Sequence, residues 1–123
     1  MITGGNATVY VSNMDKAVSF YTETLGLKLV ARYNDHWATV QAGGTTIGLH
    51  PATQGYPGPG TKGAVMVGLE TRTPLDAEIE SLTARGVKFT GAVVRSPSGN
   101  FVDLEDPDGN PMYLWEVPAG MGS

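Results

Sequence analysis

Apolar and polar positions in this chain follow a strand pattern first and a helix pattern next. Residues 7–11 alternate between apolar and polar types, which indicates a β-strand. Apolar residues then recur every three or four positions, which predicts a helix over 14–24 that Ser12 or Asn13 caps and Gly26 ends. The apolar stripe of this helix consists of Met14, Val18, Tyr21 and Leu25.

Three strands and a linker follow the first helix. The pairs Asn34-Asp35 and Gly43-Gly44 are typical of hairpin turns, and they separate strands predicted over 28–33, 37–41 and 46–50. Residues 51–63 are rich in proline and glycine, which cannot sustain a helix or a strand ladder. We therefore interpret 51–63 as a linker.

The same order of elements returns after the linker. Residues 64–69 predict a strand, and Thr73 and Pro74 predict an N-cap and the first residue of a second helix. Gly86 ends this helix, as Gly26 ends the first about sixty residues earlier. The second helix has the apolar stripe Leu75, Ile79 and Leu82, and the strands after it are predicted over 88–94, 101–105 and 111–116, with a turn at 106–110 between the last two.

This internal repeat predicts the fold class. We expect an α+β protein of one domain, residues 1–123, with two βαβββ modules over about 6–50 and 64–116. The helix of each module would cover one face of its sheet. The alternative is an α+β sandwich without internal symmetry.

The strands carry two different rows of side chains. One row is aliphatic, as in Val9 and Val11 or Ile47 and Leu49, and suits the contact with a helix. The other row mixes aromatic, small and polar residues, which are typical of the wall of a ligand cavity; the alternative is that these side chains fill the space themselves. The candidate ligand-binding residues are Asn6, Thr8, Tyr10, Trp37, His50, Met66, Tyr113 and Trp115.

Composition narrows the classes of partner. The net charge is −4, and the eight basic residues are scattered, so we expect no nucleic-acid partner. No apolar run approaches about 18 residues and no signal-peptide pattern is present, so we expect no membrane partner and a cytoplasmic location. Cysteine is absent, which excludes disulfides and thiolate metal sites.

Two motifs resemble a known superfamily. Segment 11–29, with Phe-Tyr-x-x-x-Leu-Gly, and segment 104–114, with Asp-Pro-Asp-Gly-Asn, are similar to the first strand-helix-strand unit and the closing hairpin of the vicinal oxygen chelate (glyoxalase/bleomycin resistance protein/dioxygenase) superfamily. The resemblance implies that two modules form a cupped mixed sheet with the helices on its outer face. It also implies a homodimer, with each cavity formed by two modules within one chain or across two chains. It also implies a divalent metal in the enzymes of the group.

The metal-ligand positions of those enzymes fall on residues that are poor ligands. By the resemblance, these positions are Asn6, Gly48, Ala64 and Tyr113. Glycine and alanine have no donor side chain, and asparagine and tyrosine are poor ligands for zinc, nickel or manganese. We therefore predict no metal and no cofactor.

Three functions remain open from the sequence. The first is a metal-free protein that sequesters a small, partly aromatic molecule, as bleomycin-resistance relatives do. The second is an enzyme, either a glyoxalase-type lyase or isomerase with a rearranged metal site or a metal-free acid-base catalyst that uses His50 and Tyr113. His50 is alternatively a structural histidine, and no residue near it in sequence is expected to orient it. The third is a regulatory subunit with a vestigial cavity.

Overall fold

The chain forms two four-stranded mixed sheets, each with its own helix. The structure is a computed structural model that describes residues 6–54, 58–61, 65–97 and 99–117. The elements are β1 Ala7–Val11, α1 Met14–Ser19, a π-helical segment Phe20–Thr24, β2 Lys28–Tyr33, β3 Trp37–Ala42, β4 Thr45–Pro51, β5 Val67–Thr71, α2 Leu75–Ala84, β6 Lys88–Phe89, β7 Asn100–Glu105 and β8 Pro111–Glu116.

The two sheets have the same topology. The strand order is β1-β4-β3-β2 in the first sheet and β5-β8-β7-β6 in the second. The pairs β1–β4 and β5–β8 are parallel, and the other pairs are antiparallel. This repeat confirms the predicted fold class of two βαβββ modules.

The aliphatic rows form the core, as the alternation predicts. Ala38, Val40, Ile47 and Leu49 are fully buried, and Val102, Leu104 and Met112 are their counterparts in the second sheet. Both helices cover this row, because residues of α1, the π-helical segment and α2 belong to the same buried cluster. The opposite row of each sheet is thereby left for other contacts.

The first helix begins as predicted but widens before it ends. The Asn13 side chain accepts a hydrogen bond from the Lys16 amide at 2.9 Å, which confirms one of the two predicted caps, and Gly26 ends the helix with φ +81°. Over Phe20–Thr24 the helix is π-helical, with the Leu25 amide donating to the Phe20 carbonyl at 2.9 Å.

Two boundaries in the second module differ from the prediction. Thr73 does not cap α2; Pro74 occupies the N-cap position, and the Leu75 amide donates to Glu116 Oε1 at 2.7 Å. A carboxylate that is distant in sequence therefore replaces the predicted local cap. The strand predicted over 64–69 is observed as Val67–Thr71; Ala64 lies outside the described residues.

The strand predicted over 88–94 is largely absent. Only Lys88–Phe89 pairs with β7, and the ladder resumes as a single bridge between Val94 and Phe101. The intervening stretch contains Gly91, which lowers the tendency to form a strand. Much of the edge of the second sheet is therefore irregular.

The β7–β8 turn, residues 106–110, is hydrogen-bonded to the first module. Tyr21, fully buried, donates its hydroxyl to Asp106 Oδ2 at 3.0 Å, and Asn110 Nδ2 donates to the Tyr10 carbonyl at 3.3 Å. Asp108 accepts from both the amide and the hydroxyl of Ser12. The closing hairpin of the second module is thus hydrogen-bonded to the first module.

In the described part of the chain, no helix is long and apolar enough to span a membrane.

Burial and charge perturb both members of the Tyr21–Asp106 pair. Burial raises the pKa of Tyr21 far above its ordinary value, and the charges of Asp106 and Asp108 add to this rise. Burial also raises the pKa of Asp106, although hydrogen bonds from Asn110, Tyr21 and the Asp108 amide oppose it. At neutral pH the tyrosine is therefore the donor of this bond.

Candidate functional site: an aromatic floor on the second sheet

Aromatic and polar side chains share the face of the second sheet that is opposite the core. Trp115 on β8 is paired with Glu70 on β5 and with Phe101 on β7. Two residues earlier on β8, Tyr113 is paired with Gly68 and with Asp103. Directly paired positions have side chains in contact range, so the two aromatic residues are flanked by two carboxylates.

Two adjoining cavities lie on this face. The first, of about 480 Å³, is lined by Met66, Phe101, Asp103, Tyr113 and Trp115. The second, of about 500 Å³, also contains Tyr113 and Trp115, together with Glu70 and the β3–β4 turn. Both volumes are in the range of small-molecule sites. We call Met66, Phe101, Tyr113 and Trp115 the aromatic floor.

Glycines allow the rings of the floor to lie across neighbouring chain segments. Tyr113 occupies the space that a Cβ at Gly68 would take, and Trp115 occupies the corresponding space at Gly99. A ring that leans over a neighbouring strand offers a face to the cavity, which suits stacking. The floor is also open, because Met66 is 51% exposed and Tyr113 is 36% exposed.

The first sheet carries a separate aromatic cluster. His50 lies between Tyr10 and Trp37, with ring centroids 5.5 and 6.2 Å apart in edge-to-face geometry. The Trp37 indole covers Gly48 and donates to Thr39 Oγ1 at 2.7 Å. The predicted ligand-binding set is therefore divided: Met66, Tyr113 and Trp115 share a cavity, which Tyr10, Trp37 and His50 do not line.

His50 is oriented by its chain neighbour, contrary to the sequence-based expectation. Its Nδ1 is 2.8 Å from the Pro51 carbonyl oxygen. Because a carbonyl only accepts, Nδ1 carries the proton in this arrangement. His50 lies on β4 of the first sheet and Tyr113 on β8 of the second, and each ring packs against its own sheet. The His50 ring is thus held by Pro51, Tyr10 and Trp37 of its own sheet region.

Thr8 and Tyr10 lie at the junction of the modules. They line a cavity of only about 120 Å³ together with Asn110 and Thr61. This volume is below the range of organic-ligand sites. Asn6 is exposed before β1, and its Oδ1 accepts from the Thr8 hydroxyl at 3.3 Å.

The residues at the implied metal positions do not fit a metal. The Trp37 ring fills the side-chain space at Gly48, and the Tyr113 ring leans over Gly68. Asn6 is exposed outside both cavities, and Ala64 lies outside the described residues. Within the described ranges, no three His, Cys, Asp or Glu side chains come together as a metal site requires.

Three residues that line these cavities were not predicted from the sequence: Phe101, Asp103 and Glu70. Alternation within 100–105 was a usable signal for two of them, because Val102 and Leu104 face the core and so place Phe101 and Asp103 on the other face. Glu70 depended on the position of β5, which begins later than predicted.

Comparison with known proteins agrees with this fold. The profile of the Glyoxalase/Bleomycin resistance protein/Dioxygenase superfamily matches residues 5–114, so the chain belongs to this superfamily. The uncharacterized protein YetH of Bacillus subtilis (strain 168) is 28% identical over 121 residues, which cover 91% of this chain and 96% of that protein.

Two solved structures have a similar fold. TnmS3, an antibiotic binding protein from Streptomyces sp. CB03234, superposes with a TM-score of 0.74 at 30% identity, covering 96% of this chain and 98% of that one. A lactoylglutathione lyase from Agrobacterium tumefaciens superposes with a TM-score of 0.72 at 19% identity, covering 93% and 92%. At that identity the second likeness concerns the fold alone.

Proposed function

We propose that this protein is a metal-free binding protein that sequesters a small, partly aromatic molecule on the aromatic floor. The observation that carries the proposal is the open cavity of about 480 Å³ over Met66, Phe101, Tyr113 and Trp115. Large apolar side chains at the surface of a cavity are typical of ligand-binding sites. Tyrosine and tryptophan rings bind planar molecules by stacking and dispersion.

The similarity to TnmS3 supports the same class of function. That relative is an antibiotic binding protein, and its likeness extends over nearly the whole of both chains. The present chain has the same fold and an aromatic-lined cavity. An antibiotic or metabolite with a flat ring system is therefore the kind of ligand that we propose.

The enzymatic alternatives have less support. A lyase of the glyoxalase type needs a metal, and the residues at the implied positions do not fit one. In an acid-base catalyst, the His50 and Tyr113 side chains would both have to contact the same ligand. The two residues lie on different sheets and line no common cavity among those described above.

A binding experiment with matched variants tests the proposal. We would measure thermal unfolding with acridine, 9-aminoacridine and acridine-9-carboxylate as planar probes, and then dissociation constants by calorimetry. A probe at about 100 times its dissociation constant adds about 2.7 kcal/mol to the free energy of unfolding. Trp115→Ala should weaken binding roughly tenfold. Tyr33→Ala removes a tyrosine that is 66% exposed on β2, outside both cavities, and serves as the control.

Two outcomes would overturn the proposal. The first is that no probe stabilises the protein, or that Trp115→Ala and Tyr33→Ala alter binding equally. The second is one equivalent of nickel, zinc or manganese per chain in protein purified without chelators. That metal content would favour the lyase.

We further propose that the protein acts as a homodimer. The floor is a single open wall, whereas small-molecule sites bury most of the ligand surface. A second copy would supply the missing wall. Analytical ultracentrifugation should give a mass twice that of the chain, and a monomer that binds the probes with full affinity would contradict this proposal.

A further inference from the structure

We propose that the aromatic floor selects a planar organic cation over neutral and anionic molecules of the same shape. The inference rests on the proposed binding function and names the chemical class of the ligand. The observation behind it is the placement of two carboxylates, Glu70 and Asp103, on opposite sides of the ring pair Tyr113 and Trp115.

Strand register fixes this diagonal arrangement. Glu70 is paired with Trp115, and Asp103 is paired with Tyr113, so β8 with its two rings lies between the two carboxylates. Strands are about 4.8 Å apart, and residues two positions apart in a strand are separated by about 6.7 Å. The Cα atoms of Glu70 and Asp103 are thus roughly 12 Å apart by this geometry, close to the length of a three-ring aromatic molecule.

Nearby charge favours a cation as well. Lys88 lies 3.7 Å from Glu105 on β7, so that carboxylate has a basic partner. For Glu70 and Asp103 the structure shows no ion pair within the residues that it describes. Among the residues that the structure describes, no lysine, arginine or histidine lines either cavity of the floor, and Arg72, the basic residue nearest to Glu70 in sequence, lies beyond the end of β5.

The aromatic ring faces of the floor and the two carboxylates beside it both attract cations. The faces of tyrosine and tryptophan rings attract cations, because the ring quadrupole is negative at the face. Exposed carboxylates add a moderate, salt-sensitive attraction. Both terms favour a delocalised cation, and the carboxylates disfavour an anion. The two together are expected to give about a fivefold to tenfold preference for the cation.

Two acridines of equal shape test the inference by calorimetry at neutral pH. 9-Aminoacridine is protonated there, whereas acridine is neutral. The wild-type protein should bind 9-aminoacridine about five to ten times more tightly, and acridine-9-carboxylate most weakly. In the double variant Glu70→Gln/Asp103→Asn this ratio should fall below about two. Glu78→Gln/Glu80→Gln, which makes the same change of net charge on α2, should retain the wild-type ratio.

The outcomes separate this inference from the proposed function. If acridine and 9-aminoacridine bind equally and Trp115→Ala weakens both, the floor binds planar molecules and the cation selectivity is wrong. If the control double variant loses the ratio as fully as Glu70→Gln/Asp103→Asn, net charge and not the site is responsible. If no acridine binds, the proposed function itself fails. Raising the salt from about 0.05 M to about 1 M should reduce the ratio, because it screens exposed charges.

Discussion

The hydrogen bond between Tyr21 and Asp106 should stabilise the protein measurably, because it is buried and joins the two modules. Asp106 also accepts hydrogen bonds from the Asp108 amide, the Asn110 amide and Asn110 Nδ2, at 2.8 to 3.0 Å. Tyr21→Phe removes one donor and leaves three, whereas Asp106→Ala removes the acceptor that all four donors share. The second substitution should therefore cost more.

The loss in free energy of unfolding depends on how many groups lose a partner and on how deeply those groups are buried. A hydrogen bond to a charged group contributes about 1.5–3 kcal/mol, and we take about 1.5 for Tyr21→Phe because Asp106 keeps its other donors. Asp106→Ala leaves the buried Tyr21 hydroxyl with only the weak acceptor Met112 Sδ, at 3.9 Å, and also loosens the turn, which should cost about 3–4 kcal/mol. For a chain of this size, about 1.5 kcal/mol corresponds to a fall of roughly 6 °C in Tm.

A double-mutant cycle in urea measures the bond itself. In Asp106→Ala protein the Tyr21 hydroxyl has lost its carboxylate partner, so adding Tyr21→Phe should cost little. The double variant should therefore be more stable than the sum of the single effects by about 1–2 kcal/mol. Tyr33→Phe, at an exposed position, should change stability by less than about 0.5 kcal/mol. A coupling below about 0.3 kcal/mol would refute the reasoning.

Two further predictions follow from buried groups and close packing. Because the pKa of Tyr21 is raised in the folded protein, its ionisation should leave the protein's stability unchanged below pH of about 10. As pH rises further, where the tyrosine of the unfolded chain ionises, stability should fall. Urea midpoints measured across this range should show the fall in Tyr33→Phe but less of it in Tyr21→Phe. Gly48→Ala should cost about 1–3 kcal/mol and change tryptophan fluorescence, because the new methyl group overlaps the Trp37 indole. Gly44→Ala, where nothing lies within 4 Å of the new methyl group, is its control, and equal Tm values for the two variants would contradict this account.

Most of the fold could be predicted because its signals are local. Periodicity identified both helices and the core row, and the turn residues separated β2, β3 and β4 close to their observed bounds. The cap of α2 was predicted wrongly because its partner is distant in sequence. The acceptor at the start of α2 is Glu116, 41 positions from Leu75, and no local pattern contains it.

The candidate site was predictable only in part. Alternation placed Tyr113 and Trp115 correctly on the face opposite the core, where they line cavities with Met66. It could not show that Tyr10, Trp37 and His50 form a separate cluster, because it gives the face of each strand but not how the two sheets are placed relative to each other. Nor could it bring Glu70 and Asp103 to the two sides of β8.

By itself the sequence determined the repeated module, the side chains that face the core, and the lack of donor side chains at Gly48 and Ala64. These properties depend on the residue type or on neighbours within a few positions. Only the tertiary structure decided that Tyr21 is bonded to Asp106 and that the Tyr113 and Trp115 rings lie between two carboxylates. Strand register and the packing of one module on the other bring those groups together, and neither is encoded in any short stretch of the chain.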